Sequence, residues 1–300
     1  MLNELEQRDM IIIPGPASKE LGNKIAELLK AKVVPVVFKT FPDGESYLRF
    51  EGSLKNEEVV IVQSTYPPQD KHLMQLFLLA DTAKTLGAER IIAVVPYLAY
   101  ARQDKRFLDG EAVSILTIAK LLQTANVEQL ITVNVHQEKV LKKFPFPSKS
   151  VSAMPLLAEY FKNKGFDGAF ALAPDEGAVG LAKEAATVLG GGLGWLHKER
   201  DRYTGQIKVE KKEFDVKGKD VIVFDDIISS GGTTAGAVRI VKEQGAKRVF
   251  AACAHPLLMG DALEKIMKSG AEAVVGSDTM PSPISHVSVA PLIAKTLEGT

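Results

Sequence analysis

Short apolar runs alternate along this chain with stretches in which apolar residues recur at helical spacing. Met10 to Ile13, Val33 to Phe38, Val59 to Gln63, Ile91 to Val95 and Leu130 to Val135 predict strands, while Ser18 to Lys30, about Lys71 to Leu86, and Ser114 to Thr124 predict helices. Further on, Val221-Ile222-Val223-Phe224 predicts a buried strand. Thr234, Val238 and Val241 then recur as one face of a helix until Gly245, a residue suited to the position just past a helix end. Strands separated by helices predict an α/β chain with largely parallel sheets. No stretch is low in complexity.

The pattern also echoes itself. Lys84-Thr85-Leu86-Gly87-Ala88-Glu89-Arg90-Ile91-Ile92-Ala93 and Lys242-Glu243-Gln244-Gly245-Ala246-Lys247-Arg248-Val249-Phe250-Ala251 share one helix-Gly-Ala-charge-Arg-strand order. The strand Val59 to Gln63 then corresponds to Val221 to Phe224. Helix-to-strand junctions in α/β proteins look alike, so this echo favours two halves of the same fold without establishing a duplication. The break falls near Pro145 to Ser148, where two prolines flank Phe146. The expected domains are residues 1–148 and 149–300.

The densest chemistry follows Phe224: Asp225 and Asp226, then Ser229, Ser230, Gly231, Gly232 and Thr233 at the start of a helix. Small residues let a backbone approach a ligand closely. A helix start directs unpaired N–H groups and a positive dipole end at the loop, so a phosphate would be held there. The two acids would repel that phosphate and better suit sugar hydroxyls or a magnesium ion. For a bare Gly-Gly-Thr-Thr, turn and cap chemistry is the better account, and only the whole ordered set favours a ligand. In the first half the matching place is Ser64-Thr65-Tyr66-Pro67-Pro68, whose prolines remove donors and which lacks glycine.

Composition narrows the partners. In 300 residues, Lys plus Arg and Asp plus Glu each number 37, so no global field attracts nucleic acid or an anionic membrane, and any anion site must be local. The most apolar run, Ile91 to Ala101, is broken by Pro96 and too short to span a bilayer. The start is acidic and lacks the regions of a signal peptide. The single cysteine, Cys253, lies in an apolar run and reads as a small buried residue. A soluble cytoplasmic protein is the expectation.

Four other constellations stand at predicted strand ends or turns. Phe41-Pro42-Asp43-Gly44-Glu45 carries a hairpin signal, and is either a plain turn with exposed acids or a contact. Pro96 to Arg106 follows a strand at the edge where α/β proteins bind ligands; in it Arg102 offers a planar fork suited to phosphate and Gln103 an amide able to read an adenine edge, and a solvated charged loop accounts for the run equally well. His136 follows the strand Leu130 to Val135, and Ala173-Pro174-Asp175-Glu176-Gly177-Ala178 is a second strand-to-loop junction with carboxylates suited to a hard cation. His197 to Arg202 opens a polar stretch that reaches Lys219 and by composition alone is a solvated charge run.

Taken together in this order, these motifs resemble the ribose-phosphate diphosphokinases of the phosphoribosyltransferase superfamily, over essentially the whole chain. The resemblance implies two phosphoribosyltransferase-like halves, each a mostly parallel sheet flanked by helices, with ATP on the first and ribose 5-phosphate on the second. It implies an enzyme that transfers the β,γ-diphosphoryl group of ATP to the C1 hydroxyl of ribose 5-phosphate, with Mg2+ as cofactor. By the same resemblance Phe41, Asp43, Gly44, Glu45, Arg102 and Gln103 contact ATP. The first of these motifs reaches a neighbouring subunit, which implies a homo-oligomer, a dimer or multiple of dimers. Asp225, Asp226, Ser229, Ser230, Gly231, Gly232, Thr233 and Arg200 hold ribose 5-phosphate, and His136 and Asp175 hold the metal. Lys198 and Arg200 lie in a mobile loop that closes over the triphosphate and serve catalysis, with Arg202 as a further candidate.

Two positions depart from the family pattern: Asn134 stands where an acid is usual, and Ser229 where many members have one. Two rivals stay open. A nucleobase phosphoribosyltransferase would use the same loop at Asp225 to Thr234 without ATP residues in the first half. A non-catalytic subunit of a synthetase complex would lack some of Lys198, Arg200, His136 and Asp175, all of which are present.

Overall fold

A computed structural model describes residues 10–200, 207–209 and 213–299, with backbone alone for 198–200 and 207–209. In chain order the first elements are β1 (Met10–Pro14), α1 (Lys19–Leu29), β2 (Lys32–Val33), β3 (Val36–Thr40), β4 (Ser46–Phe50), β5 (Glu58–Val62), α2 (Gln69–Thr85), β6 (Arg90–Val95), α3 (Ser114–Thr124), β7 (Gln129–Val133) and β8 (Ser148–Val151). They form one parallel sheet in the order β2-β1-β5-β6-β7-β8, with β3 and β4 as a separate antiparallel hairpin. Odd positions of the central strands, Ile11, Ile13, Val59, Ile61, Ile91 and Ala93, pack with Leu76 and Leu79 of α2 and Ile118 and Leu122 of α3. The alternate residues Ile12, Val60 and Ile92 are fully buried on the other face. Burial on both faces is why these strands read as unbroken apolar runs.

The second series is α4 (Met154–Lys162), β9 (Phe170–Ala173), α5 (Val179–Leu189), β10 (Leu193–Trp195), β11 (Lys198–Arg200), β12 (Ile207–Val209), β13 (Asp220–Ile228), α6 (Gly232–Glu243), β14 (Arg248–Pro256), α7 (Ala262–Lys268), β15 (Ala273–Ser277) and β16 (Ser285–Val287). Its parallel sheet has the order β10-β9-β13-β14-β15-β16, and β11 pairs with β12 as a separate antiparallel hairpin. A last helix, α8 (Ala290–Glu298), packs on α1. One compact unit therefore runs to Val151 and regains the chain from Val289, and the other spans Ser152–Ser288. The sequence placed a single break between 148 and 149. The contacts add a return at Val289.

The two sheets have the same strand order, with a hairpin leaving at the same point of each. The echo seen in the sequence is also an echo of bonds. Gly87 N–H and Gly245 N–H each bond the carbonyl three residues back, Lys84 and Lys242, at 3.0 Å. Both glycines have left-handed φ, +90° and +86°. Asn56 N–H reaches Gly87 O and Gly218 N–H reaches Gly245 O, both at 2.8 Å. The similarity that left duplication undecided in the sequence is thus matched in topology and hydrogen bonding.

Three strand expectations differ from what is observed. The run Val33 to Phe38 is not one strand: Pro35, which has no N–H, separates β2 in the parallel sheet from β3 in the hairpin. The strand expected to reach Val135 stops at Val133, because Asn134 adopts φ +37° and turns the chain. Finally, β13 continues past Phe224 to Ile228 because β14 is long enough to pair with Ile227 and Ile228. No helix among the described residues is long and apolar enough to cross a membrane.

Candidate active site

The end of β13 and the start of α6 carry most of the polar chemistry of the second unit. Asp225 lies opposite Cys253 of β14, and its Oδ1 accepts the N–H of Asp226 at 2.9 Å; Asp226 Oδ1 in turn accepts the N–H of Ile227 at 2.8 Å. Burial pushes the Asp225 carboxyl well above the usual carboxylate range, and the charges of Asp226 and Asp175 push it further. Enclosed acids of like charge favour a site that receives a cation or hydroxyl donors. Burial likewise raises the Cys253 thiol far above its ordinary range, and this completely buried residue fits the small core role expected of it.

From Ser229 the chain turns into α6 through two glycines with different reasons for being there. Gly231 has φ +73°, and a Cβ on it would lie 2.8 Å from Ala262 O, so the turn itself requires glycine. Gly232 has neither constraint: a Cβ there would meet nothing within 4 Å. Its bare backbone faces open space. Gly231 occupies the N-cap position and has no side chain to give, so no side chain caps α6. What sets this helix start apart is that Gly232 leaves its first turn open to close approach. Thr234, inside the helix, is buried.

The back of the turn is anchored from a distant part of the chain. Leu258 N–H bonds Ile228 O and Met259 N–H bonds Ser229 O, each at 2.9 Å. Lys265 Nζ donates to Ser230 O at 3.2 Å. The sequence pass missed Lys265. Its only local signal is the helical spacing from Asp261, its ion-pair partner at 3.2 Å.

Asp175 follows β9, and its Oδ1 accepts the N–H of Gly177 at 2.9 Å, capping a single turn at Glu176–Ala178. Next to it, Glu176 Oε1 and His197 Nδ1 are 2.6 Å apart. Asp175 lies just beyond β9, the strand paired with β13, and its charge adds to the upward push on the Asp225 carboxyl. His136 is exposed, beyond the turn at Asn134. Asn134 is buried, and its N–H bonds Val151 O at 2.9 Å. Asparagine is one of the few residue types that tolerate left-handed backbone, which suits Asn134 to this turn.

Among the described residues, no group of three or more His, Cys, Asp and Glu side chains is arranged to hold a metal. The acids that are present are hard oxygen donors. Such a sparse set fits magnesium, which commonly keeps waters and substrate phosphates as its other ligands.

In the first unit, Phe41–Glu45 forms the exposed tip of the β3–β4 hairpin, closed by the ladder pair Thr40 and Ser46. Phe41 N–H bonds Glu45 O at 2.8 Å, Asp43 Oδ1 accepts the N–H of Glu45 at 3.1 Å, and Gly44 has φ +97°. The expected turn is there, and Phe41 is 47% exposed, with its ring edge-on to Tyr47. Arg102 and Gln103 are exposed on the loop after β6, and Gln103 N–H bonds Tyr100 O at 3.1 Å.

The first unit's counterpart of the loop Ser229–Thr233 is filled by its own chain. Ser64 N–H donates to Ser18 Oγ at 2.8 Å, Thr65 N–H to Tyr97 O at 2.9 Å, and Ala17 N–H to Gln63 Oε1 at 3.0 Å. Tyr97 N–H and Ala99 N–H donate to the hydroxyls of Ser64 and Thr65. The N–H groups of Ser64 and Thr65 are therefore taken, and Pro67 and Pro68 have none to offer. Lys198 and Arg200 belong to β11, antiparallel to β12 with Arg200 opposite Ile207; their side chains, and all of Arg202, lie outside the described residues.

Comparison with known proteins covers both units. Residues 10–125 match the N-terminal domain of ribose phosphate pyrophosphokinase, and residues 152–290 match the phosphoribosyl transferase domain. The ribose-phosphate pyrophosphokinase of Sulfurisphaera tokodaii is 40% identical, over 96% of this chain and 100% of its own. That of Saccharolobus solfataricus is 43% identical, over 90% of this chain and 93% of its own. The crystal structure of phosphoribosylpyrophosphate synthetase from Mycobacterium smegmatis superposes with a TM-score of 0.86 at 32% identity, covering 97% of this chain and 98% of that one.

Proposed function

The chain belongs to the family of ribose phosphate pyrophosphokinases, and on that premise we propose how its residues share the work of the family's reaction. That reaction moves the β,γ-diphosphoryl group of ATP to ribose 5-phosphate. The C1 hydroxyl oxygen attacks the β-phosphorus, the bond from β-phosphorus to the bridging oxygen of the α-phosphate breaks, and AMP departs. The products are 5-phosphoribosyl 1-diphosphate and AMP. A nucleobase transferase would leave the match of residues 10–125 without a purpose.

One observation carries the assignment of the sugar site: α6 begins at a glycine cap that offers no side chain, beside an opening at Gly232 and two acids. The 5-phosphate binds across Ser229, Ser230, Gly231, Gly232 and Thr233, where the N–H groups and dipole of the helix start meet its charge. Asp225 and Asp226 accept hydrogen bonds from the ribose hydroxyls, which relieves the crowding that disfavours the Asp225 carboxylate. Phe41, Asp43, Gly44, Glu45, Arg102 and Gln103 bind the nucleotide. Lys198 and Arg200 stabilise the charge that develops on the transferred group. His136 and Asp175 offer a nitrogen and an oxygen to Mg2+, which when bound neutralises phosphate charge. No side chain is assigned as general base, and positioning with charge neutralisation suffices for this class of transfer.

The hairpin tip Phe41–Glu45 serves a neighbouring copy of the chain, so the working form is a homo-oligomer, and its place is the cytoplasm. The test of the whole reading is a single assay. Purified protein with Mg-ATP and ribose 5-phosphate is expected to release AMP. Release of ADP would mean transfer of one phosphoryl group and would defeat it.

A further inference from the structure

Helix α2 starts beside both first-unit segments proposed to bind the nucleotide, and its first two turns reach each of them by side chain. The Asp70 carboxylate accepts a hydrogen bond from the Tyr100 hydroxyl. Tyr100 itself has φ +65°, a left-handed conformation that L-residues other than Asn and Asp seldom adopt. Such a conformation persists only where its surroundings over-determine it, and the bond to Asp70 is one such determinant. The same residue's carbonyl receives the N–H of Gln103, so the turn that presents Arg102 and Gln103 is built on Tyr100.

On the other side, Lys71 Nζ donates to Thr40 Oγ1 and Gln75 Nε2 donates to Ser46 Oγ, each at 3.3 Å. Thr40 and Ser46 are the ladder pair that closes the hairpin at Phe41–Glu45. Lys71 and Gln75 are four residues apart, on one face of the helix, and grip both strands of that hairpin where the tip begins. Gln75 is not a chance surface contact. It is only 6% exposed, and its Oε1 accepts from Gln63 Nε2 at 3.3 Å, whose own Oε1 accepts the N–H of Ala17. Gly15 leaves space for this relay, since a Cβ there would lie 2.3 Å from Gln63 Oε1. A buried, satisfied amide relay fixes direction in a way that an apolar contact does not.

We propose that the first two turns of α2 are a positioning element for nucleotide contacts: Asp70 acts through Tyr100 on Arg102 and Gln103, and Gln75 acts through Ser46 on Phe41–Glu45, the segment that serves a neighbouring copy. This rests on the reading of those segments as ATP contacts. None of Asp70, Gln75, Tyr100 or Ser46 need touch the nucleotide.

The experiment is steady-state kinetics on the full chain, varying ATP and ribose 5-phosphate separately, with Tyr100→Phe, Ser46→Ala and Asp70→Ala, each removing one side of a bond. Each variant should raise KM for ATP by about five- to tenfold, the worth of one such hydrogen bond, with kcat at saturating ATP held to within about twofold. KM for ribose 5-phosphate should stay at the wild-type value, and the melting temperature should fall by no more than a few degrees, the share of one hydrogen bond in the stability of the chain. Asp70→Ala combined with Tyr100→Phe should cost no more than either alone, because both remove the same bond. Unchanged KM for ATP, or both KM values rising together with a larger fall in melting temperature, would overturn the proposal. A wild-type protein that makes no AMP overturns the underlying reading instead, before any variant is compared.

Discussion

Arg90 and Arg248 hold the same station in the two sheets. Each opens the fourth strand of its order and pairs with the acid directly opposite on the strand beside it, Glu58 at 2.8 Å and Asp220 at 2.7 Å. Arg248 also lies over the ring of Phe166, 4.4 Å from its centre. The pair in the second unit has a stated electrostatic consequence: the hydrogen bond from Arg248 holds the Asp220 carboxyl below the usual carboxylate range.

A group whose pKa is depressed by folding stabilises the fold above its unfolded pKa, about 3.9 for aspartate, and loses that contribution as pH falls through the folded value. Asp220→Asn keeps the shape and leaves Arg248 against Phe166. At neutral pH it should lower stability by about 0.5–1 kcal/mol, a modest figure because the pair is partly solvated. Denaturant melts from pH 7 downward should show a constant deficit to about pH 5 that shrinks in stronger acid. A deficit independent of pH would mean that the charge of Asp220 contributes nothing.

The two glycines that lead into α6, proposed to hold the sugar phosphate, should separate folding from binding. Gly231→Ala places a Cβ in left-handed backbone against Ala262 O. It should destabilise the chain by about 1–3 kcal/mol. Gly232→Leu enters open space and should leave the denaturation midpoint near wild type, while lowering affinity for ribose 5-phosphate by more than about tenfold as the side chain fills the phosphate's place. Calorimetric titration with ribose 5-phosphate, set beside a melt of each variant, checks both. Undiminished binding by Gly232→Leu would remove the sugar phosphate from this loop.

Asp225 should show a conflict between stability and function. Its carboxylate is disfavoured by burial first and by Asp226 and Asp175 next, so folding weakens as pH rises from the unfolded pKa through the raised folded one. Asp225→Asn should therefore melt higher than wild type at pH 7, each 1 kcal/mol gained adding about 2–4 °C. The gain should vanish in acid, where the wild-type carboxyl is protonated folded and unfolded alike. Turnover of ribose 5-phosphate should fall at the same time. A lower melting temperature at pH 7 would show that the acid is structurally required.

Lys198 is proposed to act on developing charge, not on ground-state binding. Lys198→Ala should cut kcat by about 10²–10³-fold with KM for both substrates near wild type, the pattern of an interaction made only in the transition state. Steady-state kinetics would decide it, and turnover near wild type would remove Lys198 from this role.

Much of this architecture was legible in the sequence because the strands are buried on both faces and the helices on one. The period of each run therefore carried its identity, and Ser114 to Thr124 was placed to the residue. The polar strand ends were legible as chemistry, since Asp, Ser and Gly there have few roles in a core. What escaped depended on partners far along the chain. The extension of β13 to Ile228 needs the length of β14, the support of Ser230 comes from Lys265, and the return of α8 to α1 depends on packing that no local pattern carries. Pro35, by contrast, was visible, and its lost donor was the signal that Val33 to Phe38 is two strands.

The loop of the first unit that corresponds to Ser229–Thr233 of the second is engaged with Ser18, Gln63 and Tyr97 of its own chain. These bonds interlock: Tyr97 O accepts from both the N–H and the hydroxyl of Thr65, while the Ser64 hydroxyl accepts from Tyr97 N–H and the Ser64 N–H donates to Ser18. Losing one partner leaves the others engaged, so emptying the place would take several substitutions made together, and the two matching loops are free to differ in what they hold.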